Sequence, residues 1–183
     1  MKNKRDWTKW CRAIHMIFSV LHPFWTHLDD EWKMIITRLY YHMVQDCGNP
    51  NPSGYISERA FLNKINGRKT VEDHCFSPQF IGRMIMDNWH VYQDYEKFEK
   101  VFFYSTQTII VTQKENDDLS DFTQHDADGI KILVSTDQKY HKLGIELYKR
   151  YGVKSWKDAS PTYQDSFPVP EELLEYEKQY LVS

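Results

Sequence analysis

The sequence predicts an α+β fold, mostly helical, with a small two- or three-stranded β element. Three observations predict it. Most apolar residues recur at the 3.6-residue period of a helix, in segments opened by Asp or Ser and closed by Gly or Pro. Only two short β-branched runs, Thr108–Val111 and Ile130–Val134, have the character of strands. The 183 residues include 12 Tyr, 10 Phe and 6 Trp against 7 Gly and 7 Pro, which suits a packed core and argues against a low-complexity chain.

Asp6 is placed to cap a first helix whose Trp7, Trp10, Cys11, Ile14, Phe18 and Leu21 share one side, and His22-Pro23 should end it. Asp29-Asp30 suits the start of a second helix, with Trp32, Ile35, Ile36, Leu39, Tyr40 and Met43 as its packed face and Gly48 as its stop. Asn49-Pro50-Asn51-Pro52-Ser53-Gly54 reads as a turn-rich linker. Ser57 caps a short helix bearing Ala60, Phe61 and Ile65 and closed by Gly67. Ser77-Pro78 is a strong helix start, followed by Phe80, Ile81, Met84, Ile85 and Trp89 on one face. Asp94 opens the next helix, carrying Tyr95, Phe98 and Phe102. After the strand at 108–111, Thr112 and Glu115 form a capping box. Asp126–Gly129 is a turn and Ile130–Val134 a second strand. Tyr140, Leu143, Leu147, Tyr148 and Tyr151 suggest an amphipathic helix, and Leu173, Leu174 and Tyr176 a short terminal one after Pro170.

These elements divide the chain into an N-terminal helical pair (1–48), an α+β body (55–154) and a C-terminal acidic extension (155–183), expected to form one compact domain. Charge follows the same division. Residues 1–70 hold 11 Lys/Arg against 6 Asp/Glu, whereas Lys154, Lys157 and Lys178 face six carboxylates beyond Tyr151. The net charge of −3 excludes a basic coat over the whole protein but leaves room for a local basic surface. Arg59, Lys64, Arg68 and Lys69 are the candidate nucleic-acid-binding residues. Cys11, Cys47 and Cys75 form no CxxC pair and read as reduced thiols. Ile14–Leu21 is too short and too polar for a signal peptide or a membrane span, which points to a cytoplasmic protein with no membrane partner.

Several function classes fall away. Gly67-Arg68-Lys69-Thr70 lacks the preceding Gly of a phosphate-binding loop. Asp126-Ala127-Asp128-Gly129 lacks the Glu of a calcium loop, because position 12 would be Ser135. There is no GxSxG and no GxGxxG. A transcriptional regulator using the 57–66 helix has few side chains able to read bases.

What remains is Asp73-His74, then Asn116 in the first turn of a helix, then His125. Phosphodiester hydrolysis needs an activated water and charge neutralisation at phosphorus. A neutral His is a suitable base, and on a strand Asp73 and His74 would point to opposite sides. Asn116 and His125 are nine residues apart, about 180° on a straight helix, so they meet only if that helix ends or bends.

This residue order resembles the HNH, or His-Me finger, endonucleases of phages and mobile elements, over about a third of the chain. The resemblance implies His74 as general base, Asn116 as the residue that orients it, and Asp73 with His125 as ligands of a divalent metal, Mg²⁺ above all. DNA would be the substrate. Glu72–Pro78, Thr112–Leu119 and Gly144–Leu147 also look like segments of phage reading frames, which implies the cytoplasm of a bacterial host. The sequence departs from the family pattern in its long insertion after His74 and in the helix, not a hairpin, expected there. The alternative is a non-enzymatic phage protein that binds a host protein or nucleic acid through its aromatic-rich helices. Its mark would be an exposed apolar patch.

Overall fold

In a computed structural model, residues 7–47, 51–122, 139–140, 143–149, 162–163 and 169–182 are described. In chain order they form α1 (Trp7–Trp25), α2 (Asp30–Asp46), β1 (Asn51–Ser57), α3 (Glu58–Ile65), β2 (Val71–His74), α4 (Pro78–Asp87), α5 (Trp89–Tyr92) and α6 (Tyr95–Ser105). Then follow β3 (Gln107–Val111), α7 (Gln113–Phe122), β4 (Leu147–Lys149), β5 (Thr162–Tyr163) and α8 (Glu171–Val182). The fold is α+β and mostly helical. Its described residues fall into two compact units: 7–47, 51 and 76–107 form one, and 52–75, 108–122 and those from 139 onward the other.

The first unit is helical. Asp29 caps α2 by accepting the Trp32 N–H at 3.0 Å, and Asp94 caps α6 through the N–H groups of Glu96 and Lys97. Ser77 and Pro78 start α4 as their order predicts. Cys11, Ile14 and Phe18 of α1 and Ile36, Tyr40 and Val44 of α2 are buried with Phe80, Ile81, Met84, Ile85, Phe98 and Phe102. Tyr40 lies against Gly82, where an added Cβ would come within 2.9 Å of its ring. The buried Tyr40 hydroxyl is satisfied by the Ser105 hydroxyl at 2.6 Å.

Two expectations for these helices need correction. α1 does not stop at Pro23 but runs on to Trp25. The proline removes only one N–H donor near the helix end, and Trp25 is held there by burial and by its Nε1–H bond to Asp87 Oδ1 at 2.7 Å. Trp32, Ile35 and Leu39 do not belong to the packed face of α2; they are exposed. An apolar stripe wider than the core it meets produces the periodicity without the burial.

The second unit contains a five-stranded sheet in the order β2-β3-β1-β4-β5. β2 pairs antiparallel with β3, setting Asp73 opposite Ile109 and His74 opposite Thr108. β1 and β4 are antiparallel, as are β4 and β5. The segment read as a linker is therefore partly strand: Asn51–Ser57 is β1, and the Ser53 hydroxyl donates to the Thr108 carbonyl at 2.8 Å. Leu147 and Tyr148, read as helical, lie in β4. Pairing with β1 and β5 outweighs a weak local helical period. The expected cap at Asp6, stop at Gly48, turn at Asp126–Gly129 and strand at Ile130–Val134 lie outside the described residues.

Candidate functional site

Ser57 links the start of α3 to the start of α7. Its hydroxyl oxygen accepts the Ala60 N–H at 3.1 Å and its O–H donates to Glu115 Oε2 at 2.7 Å. The same carboxylate oxygen accepts the Thr112 N–H at 2.8 Å and the Thr112 O–H at 2.9 Å, while Thr112 Oγ1 takes the Glu115 N–H at 3.2 Å. The expected capping box is formed, and its carboxylate is buried. It holds the first turn of α7, which packs against β2.

Asp73 is tightly engaged. Its Oδ2 pairs with Lys139 Nζ at 2.7 Å and accepts the Tyr140 O–H at 2.7 Å. Lys139 also donates to the His74 carbonyl at 3.1 Å, so one ammonium ties the end of β2 twice. The Tyr140 hydroxyl is pushed well above its usual range, first by burial and then by the negative charge of the Asp73 carboxylate. It is therefore a neutral donor in that bond. Cys75, the next residue after β2, is buried, and burial pushes its thiol up to about 12.

His74 is half-buried, and burial lowers its pKa; the Asp73 charge opposes that shift and the Lys139 charge adds to it. The imidazole is therefore neutral at pH 7, the form able to take a proton from water. Strand alternation turns His74 to the face opposite Asp73, as a β2 strand implies. Asn116 sits in the first turn of α7, half-exposed, its N–H on the Thr112 carbonyl and its own carbonyl accepting the Ser120 hydroxyl. α7 ends at Phe122, ahead of His125, which lies outside the described residues. The structure thus brings β2, with Asp73-His74, against the helix that carries Asn116.

Lys139 and Tyr140 are the members of this cluster that sequence reasoning missed. They lie 65 residues or more from their partners, and by its spacing Tyr140 reads as an apolar helix position. Only a Lys-Tyr pair next to an apolar segment could have signalled them. The basic candidates precede β2 in the chain. Arg59 and Lys64 are exposed on α3, and Arg68 and Lys69 are exposed in the turn from α3 to β2. Gly67 makes that turn with φ of 69°, and the Arg68 N–H closes it on the Asn63 carbonyl at 2.7 Å.

As a metal ligand Asp73 fits poorly. The ammonium of Lys139 stands where a cation on Oδ2 would stand. Among the described residues no group of three or more His, Cys, Asp or Glu side chains is placed to hold a metal ion. No helix among them is long and apolar enough to cross a membrane. No protein-family model matches the chain, and neither a curated protein nor a solved structure is found to match it.

Proposed function

We propose that the sheet-bearing unit hydrolyses phosphodiester bonds in DNA, with His74 as general base, in the manner of an HNH-type nuclease. The observation that carries this reading is the frame of β2, β3 and α7. An antiparallel pair of strands runs directly into a helix packed against the first strand. That frame keeps Asp73-His74 and Asn116 on adjoining elements despite the insertion of α4, α5 and α6. Lowering of the His74 pKa by burial suits a base working near neutral pH. Arg59, Lys64, Arg68 and Lys69 supply positive charge close in sequence to the strand and suit a phosphate backbone. Asp73 is assigned to anchoring β2 through Lys139, and no step is routed through a metal.

The test is plasmid nicking by purified protein in Mg²⁺, Mn²⁺ or EDTA, comparing the native chain with His74→Ala. Cutting that disappears in His74→Ala supports the assignment, and the metal arms reveal whether a divalent ion takes part. Intact plasmid under every condition, with a folded protein, removes the nuclease reading.

A second reading, a protein that acts by binding alone, is favoured by a different observation. Phe24 and Trp32 stand more than half exposed on α1 and α2.

A further inference from the structure

The apolar arc of α1 is wider than the part of it that is buried. Cys11, Ile14 and Phe18 face the core of the helical unit, while Ile17, Val20 and Phe24 are 39%, 63% and 61% exposed. α2 repeats the pattern. Ile36, Tyr40 and Val44 are buried, and Trp32, Ile35 and Leu39 are 57%, 38% and 54% exposed. The two helices are antiparallel, since Phe18 meets Tyr40 and Trp25 lies under Lys33. At 100° per residue, both exposed stripes lie roughly 90–150° from their buried neighbours, rotated in the sense that brings them onto one outer face of the hairpin.

That face has the spacing of a helix-packing seam. Ile17, Val20 and Phe24, like Trp32, Ile35 and Leu39, step by three and then four residues, the interval by which one helix seats in the groove of another. Six side chains of this size at about half exposure offer roughly 500 Å² of apolar surface. With the polar rim included, a hairpin-on-hairpin contact approaches the ~800 Å² per partner of a stable dimer.

We propose that this face is the interface of a two-fold homodimer in which α2 packs antiparallel on α2 of a second copy. Charge selects that occupant. Glu31 and Arg38, both exposed, flank the same edge of the α2 stripe. Glu31 lies four residues before Ile35 and Arg38 three after it, about 6 Å and about 4.5 Å along the axis. An antiparallel crossing at Ile35 therefore sets Glu31 of each copy beside Arg38 of the other, twice over. A parallel two-fold crossing puts the two charged edges on opposite sides of the seam, where neither Glu31 nor Arg38 meets its counterpart. An isologous contact needs this self-complementarity, and the patch has it.

Sedimentation velocity on the full chain tests the proposal, from ~1 to ~100 µM, the range over which a micromolar Kd shifts the population. The native protein should sediment as a dimer, and Val20→Glu/Trp32→Glu as a monomer with an unchanged far-UV CD spectrum. Glu31→Arg and Arg38→Glu should each weaken association about tenfold, and the double exchange should restore it. A native chain that stays monomeric throughout overturns the proposal and leaves the face to a different protein. A dimer that survives Val20→Glu/Trp32→Glu overturns it too, because the interface then lies elsewhere. Association that ignores the charge reversals, or that the double exchange fails to rescue, overturns the antiparallel register.

Discussion

One carboxylate oxygen, Asp73 Oδ2, receives both the ammonium of Lys139 and the hydroxyl of Tyr140. The side chains of the ion pair are only 12% and 17% exposed, so water gives little compensation when one partner is removed. Lys139→Met should lower unfolding free energy by about 3 kcal/mol. In urea titrations, the double variant with Asp73→Asn should lose less than the sum of the two single changes. Simple additivity would show that the pair is not coupled. His74 makes a second prediction. Its native pKa lies below 6.5, the value expected in the unfolded chain. Stability from its burial is therefore complete above pH 6.5 and falls as pH drops toward the native value, because the unfolded chain binds the proton first. Denaturation measured on either side of pH 6.5 should show this loss, and His74→Gln should flatten it. The buried thiols of Cys11 and Cys75, both raised to about 12, should resist alkylation at pH 8 until the chain is unfolded.

Elements meet where a single residue permits or organises the packing. α4 approaches α2 over Gly82 because hydrogen is all that fits above the Tyr40 ring. Gly82→Ala should gain about 1 kcal/mol of helix propensity yet cost more in forced repacking, a net loss of about 1–2 kcal/mol by thermal or chemical denaturation. Restoration by Gly82→Ala/Tyr40→Leu would identify the ring as the obstacle. Glu115 does the corresponding work for α7, taking Ser57 and Thr112 on one oxygen. The S/T-x-x-E spacing made its role as a capping box legible, whereas the Ser57 hydroxyl bond, 58 residues away, has no local signature. Most helix starts were legible for the same reason: Asp29, Ser57, Ser77 and Asp94 each bind N–H groups within three residues.

For the whole molecule, the charge distribution carries the strongest functional consequence. If the chain acts on DNA as proposed, its net charge of −3 confines the contact to a local surface. If Arg59, Lys64, Arg68 and Lys69 form that surface, replacing all four with Ala should weaken binding by at least tenfold. The slope of log K against log salt should also fall by about 0.9 for each phosphate no longer neutralised. Fluorescence anisotropy on a labelled duplex checks both, and an unchanged slope would exclude these four residues from any DNA contact.

The helical class, the caps, the capping box of Thr112 and Glu115 and the strand at 108–111 were legible in the chain alone, because each depends on neighbours a few residues apart. Tertiary structure decided the rest. It made a strand of the Pro- and Gly-bearing segment 51–57, since pairing with β4 overrides local turn preference. It drew Leu147–Lys149 into the sheet and delivered Lys139 and Tyr140 to Asp73. It also left Trp32, Ile35 and Leu39 outside the core although their spacing matches that of buried positions. Periodicity identifies which residues can be buried together; only packing determines what covers them.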